Sequence, residues 1–421
     1  MIAASRRSKL PPVYVLGGYQ SDFARNLARE GVTLADFIAQ TTLATLESTR
    51  VDPRDVQAGH VGNFIAELYT GQSHLGGFLA NAHPDLEGIA VSRHEAACAS
   101  GGVAIMAAMA DIQSGRYDVA IVLGVEVMRL LPGFESQQKL GAAAWVPRET
   151  EGVAYPWPAL FSRVADEYAE RYGLRHEHLG ALARSNYDNA KKNPNAQART
   201  WFFPEGSFSE DDQKNPIIAG RTRRHDASPV TDGAVGVVLA SAEYAQSWAK
   251  TRGASFENMA RIEGYGHRTA RMAMEEKLVA SREDTYVCPH VRGAITDAFT
   301  RADIVDPFEL SAIEVHDCFT ISHYMGIDHF GLTDPGHAYR MIDDGTVFRG
   351  GKLPVNPGGG LMGIGHPVGA TGVRMLLDAQ KQVTGTAGEM QVLNAKRVAT
   401  LNIGGSATTA VVLVVGREGS T

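Results

Sequence analysis

Three short segments of the 421-residue chain hold the residue types that acyl transfer needs. The first is His94-Glu95-Ala96-Ala97-Cys98-Ala99-Ser100-Gly101-Gly102, where a thiol stands between an apolar run and a stretch of small residues. Upstream, Gly88-Ile89-Ala90-Val91 reads as the end of a buried strand. Downstream, residues 103–110 are apolar around the whole circumference of a helix, which predicts a buried one. A thiol at that junction lies beside unpaired helix N–H groups and the positive end of the helix dipole, which favour its thiolate. The competing reading is an inert buried Cys, because a free Cys also behaves as a small hydrophobe.

The second segment, His316-Asp317-Cys318-Phe319, follows the run 311–315 and so sits at the carboxyl end of a strand, where open α/β sheets place their sites. A capped loop with an incidental Cys is the alternative. The third, Asn356-Pro357-Gly358-Gly359-Gly360-Leu361-Met362-Gly363-Ile364-Gly365-His366-Pro367-Val368-Gly369-Ala370-Thr371-Gly372, offers His366 in a glycine-rich loop. Its glycines allow close backbone approach, and Pro367 fits the first turn of a helix running to Val383. A phosphate or dinucleotide loop is the rival, but no Gly-x-Gly-x-x-Gly strand–turn–helix unit accompanies it. Leu401-Asn402-Ile403-Gly404-Gly405-Ser406 lies between strand-like runs and adds glycine N–H donors. Together these residues supply a nucleophile, a base, oxyanion donors and a second thiol. A thiol, with a reference pKa of ~8.5, can be tuned toward neutrality for proton transfer at carbon.

The elements that must position them alternate between strand and helix, which implies a mostly parallel sheet with helices on both faces. Residues 12–18 read as a first strand, 33–50 as a helix capped by Thr33, and 117–126 as a buried strand. From 129 to 220 the apolar strands give way to Pro, Trp, Asn and charge around amphipathic helices at 161–172 and 176–192, the texture of an insertion. Strand texture returns at 234–240. A second α/β stretch then repeats the element order of the first, so the expected organisation is an N-terminal half (12–128 and 221–275), an inserted domain (129–220) and a C-terminal half (285–417).

Such a length predicts more than one core. Hydrophobic residues make up 44% and charged ones 21%, ordinary for a globular protein, and the net charge of −7 speaks against nucleic acid as a partner. The apolar run 410–415 is too short to span a bilayer. Residues 1–12 have no apolar core of a secretory signal and read as a disordered lead-in, and the end Glu418-Gly419-Ser420-Thr421 carries no peroxisomal address. The three cysteines suggest neither a disulfide framework nor a metal site, and a reducing cytoplasm is expected.

The order Cys-Ala-Ser-Gly, His-Asp-Cys-Phe, Gly-His-Pro-x-Gly and a Gly-Gly strand end resembles the thiolase family across nearly the whole chain. Asn189-Ala190-Lys191-Lys192-Asn193-Pro194-Asn195-Ala196-Gln197 and Ser228-Pro229-Val230-Thr231-Asp232-Gly233-Ala234 resemble the loop domain of sterol-carrier-protein type thiolases and its return to the core. The resemblance implies a five-layer αβαβα pair of similar halves, with the loop domain covering a coenzyme A site. It makes Cys98 the acylated nucleophile, His366 its base, Cys318 the acid/base at the α-carbon and His316 the donor to the thioester oxygen. The N–H groups of Cys98 and Gly404 would form the other oxyanion hole. Many thiolases carry Cys where this chain has Asn402, and an Asn-Glu-Ala-Phe motif where it has residues 316–319. The second thiol therefore falls at Cys318, and Asn402 receives no catalytic role.

The activity implied is thiolytic cleavage of a 3-ketoacyl-CoA or the reverse condensation, with CoA and acetyl-CoA as substrates and no permanently bound cofactor. A ketoacyl synthase, a retro-aldol lyase with a partner subunit, and a non-catalytic acyl-CoA-binding subunit are the alternatives. A homodimer or homotetramer is expected, with an accessory subunit as a further partner. Arg184, Lys191, Lys192, Arg221, Arg223 and Arg224 are candidates for the CoA phosphates, each competing with an ordinary solvated role. Asp317 reads as a loop-orienting carboxylate and Cys288 as structural; His60, His94 and His290 carry no specific signal.

Overall fold

The computed structural model describes residues 10–420; the first nine residues of the expected lead-in, and Thr421, lie outside them. Nine strands form one sheet that folds back on itself: β1 (Val13–Gln20), β2 (Ala58–Gly62), β3 (Ala90–His94), β4 (Val119–Glu126), β5 (Gly233–Ala240), β6 (Ala260–Thr269), β7 (Ala312–Val315), β8 (Arg397–Gly404) and β9 (Thr409–Arg417). Their order is β3-β2-β4-β5-β1-β6-β9-β8-β7. Outward from the centre, β1-β5-β4-β2 and β6-β9-β8-β7 repeat the same sequence of antiparallel, antiparallel and parallel pairings. The halves join where β1 meets β6, over the pairs Val13↔Ile262, Tyr14↔Arg261 and Val15↔Ala260.

Two expectations are corrected. The sheet is mixed rather than mostly parallel: β2 runs parallel to β3 and β4, and β7 to β8, while every other neighbouring pair is antiparallel. The reversals come from β5, which re-enters after the insertion, and from β9, which returns from β8 through the tight turn 405–408. Residues 88–91 were expected to end a buried strand; β3 is instead an edge strand with every residue at least partly exposed.

The helices complete five layers. Helix α1 (Leu34–Thr49) covers the outer face of β1 and β5, and α6 (Pro289–Arg301) that of β6 and β9. Thr33 and Asp36 close a capping box on α1, as the sequence predicts. Between the two half-sheets lie α2 (Ser100–Gln113) and α9 (Thr371–Thr384), which touch each other and both halves. Their amino ends meet at glycines. A Cβ on Gly101 would stand 2.7 Å from the Gly369 carbonyl oxygen, and one on Gly372 2.4 Å from the Gly102 nitrogen. Only glycine permits that approach, and it brings the segments of Cys98 and His366 together.

Residues 129–220 contain α3 (Pro156–Tyr172), α4 (His176–Ala190) and a strand, Ile217–Ala219, that pairs with Thr222–Arg223 just beyond them. Both helices pack on α7 (Thr320–Phe330), and α4 also packs on α8 (Gly360–Ile364). A further helix, α5 (Met274–Ala280), packs on α3. No helix among the described residues is long and apolar enough to cross a membrane.

Candidate active site

The backbone bends sharply into Cys98. Ala97 takes φ +51°, a left-handed conformation that costs a non-glycine residue energy and gathers at functional sites. Ser100 holds the bend, its hydroxyl accepting from Ala96 N at 2.9 Å and donating to Ala97 O at 2.6 Å. Cys98 itself is half-buried. Its sulfur and one ring nitrogen from each of His316 and His366 lie within 4.8 Å of one another. The imidazoles meet edge to face, 5.1 Å between centroids.

Hydrogen bonds set the two imidazoles in opposite tautomers. Asn402 Nδ2 donates to His316 Nδ1 at 3.2 Å, so that nitrogen carries a lone pair and the ring proton sits on Nε2. Thr371 Oγ1 donates to Pro367 O at 3.3 Å and therefore accepts from His366 Nδ1–H at 2.7 Å, leaving His366 Nε2 with its lone pair. One ring thus offers an N–H and the other a base. Burial holds both neutral, pushing His366 down to about 3 and His316 well below the usual range, and the Arg374 charge adds to the effect on each. Cysteine and two histidines are also the donor types of a zinc site. Here Asn402 already bonds His316 Nδ1, so a metal at this cluster would have to displace either that bond or the Nε2 proton.

The thiol is not a resting thiolate. Burial pushes Cys98 up to about 12, and the Gly405 N–H and its own N–H only moderate the rise. The helix-end stabilisation anticipated from the sequence is thus outweighed by desolvation. Gly404 ends β8 opposite Thr409, and the next residue, Gly405, lines the cavity beside Cys98.

Cys318 lines the same cavity as Cys98, together with Phe64, Met128, Leu140, Trp157, Phe161, Phe319, Val368 and His366. No Asp, Glu, Lys or Arg lines it. The Cys318 sulfur is 3.7 Å from Ser322 Oγ, and burial, with the Cys98 thiol beside it, raises its pKa well above the usual range. Ser228 N donates to the Cys318 carbonyl at 2.9 Å, so the return segment anchors this loop.

His366 was expected at a helix start. The helix is broken there: α8 ends at Ile364, Pro367 is extended, and α9 begins only at Thr371. His366 is pinned between them by Thr231 Oγ1, which accepts its backbone N–H at 2.9 Å. Two buried carboxylates brace the loop from either side. Asp317 accepts from Leu361 N, Met362 N and Asn186 Nδ2, the orienting role read from its position. Glu126, at the end of β4, accepts from Gly369 N, Phe64 N, Ile65 N and Asn63 Nδ2. Burial raises them to about 6 and about 7 respectively.

Sequence reasoning weighed Asn402 and gave it no catalytic role, and it did not single out Glu126, Thr231 or Thr371. A usable signal existed for two: each of Glu126 and Asn402 is a polar residue within a strand otherwise apolar around it. Asn402 Nδ2 also donates to the Cys98 carbonyl at 3.0 Å, so one amide orients the nucleophile's backbone and the His316 ring.

The candidate phosphate ligands divide. Arg221 pairs with Asp166, Lys191 with Asp188, and the buried Arg223 with Asp212 and the Asn215 carbonyl. Arg184 lies over the Phe208 ring, and it, Lys192 and Arg224 are exposed. Cys288 is fully buried in the second half's core. His60 and His94 stack on each other away from these residues, with Asp111 3.3 Å from His60.

Comparison with known proteins agrees with this architecture. Residues 13–201 match the family model described as thiolase, N-terminal domain, and residues 272–417 that of a thiolase C-terminal domain-like unit. An acetyl-CoA acetyltransferase of Methanothermobacter thermautotrophicus is 32% identical over 387 residues, covering 92% of this chain and 95% of the relative. Rabbit (Oryctolagus cuniculus) sterol carrier protein 2 is 24% identical, over 96% of this chain and 71% of its own. Among solved structures, an Ltp2-ChsH2(DUF35) aldolase superimposes with a TM-score of 0.76 at 21% identity, covering 98% of this chain and 99% of that one. Human mitochondrial 3-ketoacyl-CoA thiolase in complex with CoA does so with 0.68 at 18%, covering 98% and 100%. The chain belongs to the thiolase family.

Proposed function

We propose that this thiolase cleaves a 3-ketoacyl-CoA with free CoA to acetyl-CoA and a shortened acyl-CoA, and runs the reverse condensation, through an acyl group on Cys98. The observation that carries this reading is two thiols and the His366 imidazole lining one uncharged cavity, with the His316 ring set edge to face against His366 and in the opposite tautomer. In cleavage, the Cys98 sulfur attacks the 3-keto carbon as His366 Nε2 takes the thiol proton. A neutral imidazole beside a protonated thiol makes this a general-base step. The N–H groups of Cys98 and Gly404 receive the oxyanion. As the carbon–carbon bond breaks, the electron pair moves onto the acetyl-CoA enolate, whose oxygen accepts from His316 Nε2–H. The Cys318 thiol protonates the enolate carbon and becomes a thiolate. Free CoA then transfers its thiol proton to the site and takes the acyl group from Cys98, restoring both thiols. In condensation, the Cys318 thiolate removes the α-proton of acetyl-CoA.

Residues 129–220 act in this reading as a cover over CoA, with exposed Arg184, Lys192 and Arg224 free for its phosphates. A cytoplasmic homodimer or homotetramer suits the reading, and the aldolase complex keeps an accessory subunit and retro-aldol cleavage in view. The presence of both Cys98 and Cys318 favours thiolysis. The test is a pair of variants. Wild type incubated with acetyl-CoA gains about 42 Da on Cys98, and Cys98→Ala gains nothing. Cys318→Ala acylates but neither forms nor breaks the carbon–carbon bond. Near-full thiolysis by Cys318→Ala overturns the assignment of the second thiol, and cleavage of a β-hydroxyacyl-CoA without CoA turns the reading to the lyase.

A further inference from the structure

We propose that Lys277 is a positioning residue for the oxyanion side of the site, fixing the 405–408 turn that follows Gly404 and meets the Cys98 cavity at Gly405. The proposal rests on the acyl-transfer reading above. Lys277 lies on α5, outside the three motifs, and is 5% exposed. Its ammonium donates to Met272 O at 3.0 Å, Ser406 Oγ at 2.8 Å and Thr408 Oγ1 at 3.0 Å. All three of its donors are thereby used, and two of the acceptors lie in the turn. His290 Nε2, on α6, adds a contact at 407, donating to Ala407 O at 2.6 Å.

The turn is held at 406, 407 and 408 from one side, while Gly405 lines the cavity beside Cys98 on the other. It needs holding: Gly405 and Ala407 both take positive φ, +61° and +58°, and an alanine stays there only where its surroundings impose it. Filling this space with an ammonium among neutral oxygens is costly compared with an apolar side chain. The arrangement meets a demand for geometry.

The same arrangement makes the turn sensitive to pH. Burial lowers the Lys277 ammonium to about 8, opposed by Cys288, Glu149 and Glu276. His290, the other neighbour, is held neutral by its own burial, with its pKa near 4. Above about pH 8 Lys277 becomes an amine with two donors for three oxygens, and one contact to the turn weakens.

The test follows single-turnover acylation of Cys98 by acetyl-CoA, with kcat and KM, in wild type, Lys277→Met and Ser406→Ala across pH 6 to 10. Lys277→Met is expected to slow acylation ~10- to 100-fold, a fraction of what deleting an oxyanion donor outright does. KM for acetyl-CoA should stay within about threefold, because the loss falls on the transition state. Ser406→Ala keeps the lysine and removes one acceptor, so the alkaline fall in rate should move to lower pH. A folded Lys277→Met that acylates at the wild-type rate overturns the proposal. If Lys277→Met does not fold, an unmoved alkaline limb in Ser406→Ala overturns it. A wild type that forms no acyl-Cys98 overturns the acyl-transfer reading and this role together.

Discussion

Asn402 occupies the place where the catalytic thiol of many thiolases would be expected, and its replacement separates orientation from chemistry. Its Nδ2 makes two bonds, to the Cys98 carbonyl and to His316 Nδ1, while its Oδ1 is buried without a partner. In Asn402→Ala both acceptors lose a donor, at ~1 kcal/mol each and more where they stay dry, so thermal stability should fall by about 2–3 kcal/mol. The kinetic effect is larger and selective. Without Asn402, His316 is free to place its proton on Nδ1 and turn a lone pair toward the enolate oxygen. Loss of one such donor is worth ~10²–10³ in rate. Condensation of acetyl-CoA should drop by that factor, while the burst of acetyl-Cys98 formation stays within about fivefold, since His366 keeps its own partner in Thr371. Asn402→Asp sharpens the case: it keeps the size but turns the donor into an acceptor, which selects the wrong His316 tautomer and leaves the Cys98 carbonyl facing an anion. It should condense more slowly than Asn402→Ala. Rapid-quench mass spectrometry for the burst, with a coupled assay for condensation, gives both numbers. If Asn402→Asp condenses within fivefold of wild type, the tautomer argument is wrong.

Thiol titration gives a second prediction. With Cys98 protonated up to about pH 12 and His366 neutral down to about 3, iodoacetamide labelling of Cys98 should climb about tenfold per pH unit from 7 to 9. A plateau below pH 8 would mean a resting thiolate. At pH 5 the Glu126 carboxyl is protonated but both its oxygens can still accept; Glu126→Gln replaces one of them by an N–H₂ set against two of the four N–H groups, and should cost about 2–3 kcal/mol there. Glu126's folded pKa, about 7, is raised above its unfolded value, so the wild type loses this group's contribution as pH rises from about 4 through 7. Glutamine does not titrate, and the stability gap measured by denaturant melts should narrow toward pH 8; a widening gap would contradict the assignment. Thr371→Val removes the partner of His366 Nδ1 and should lower the acylation rate about tenfold with little change in KM. Equal loss in KM would point instead to a misplaced substrate.

Cys98, His316, Cys318 and His366 were legible because each is a reactive side chain among small or apolar neighbours, a setting that packing alone does not call for. Their partners were less so. Thr231 and Thr371 look like any threonine until the chain brings them to His366 from 135 and 5 residues away. Alternation of strand and helix conveyed the layers but not the strand directions. An antiparallel return such as β5 has the same apolar texture as a parallel strand, and its direction is set by the length and docking of the insertion before it. The edge position of β3 escaped for a related reason: Ile89-Ala90-Val91 is as apolar as an interior strand.

The glycine contacts between α2 and α9 have a further consequence. Cys98 comes from one half of the duplicated fold, and His316, Cys318, His366 and Gly405 from the other. Their spacing is set where main chain meets main chain, at Gly101 against Gly369 and at Gly102 against Gly372. A seam made of side chains can drift as volumes are traded across it; one made of bare backbone has no intermediate sizes to pass through. The two halves are therefore free to diverge in their outer layers and in residues 129–220, while the distance between Cys98 and His366 behaves as a fixed length that substitution either keeps or abolishes.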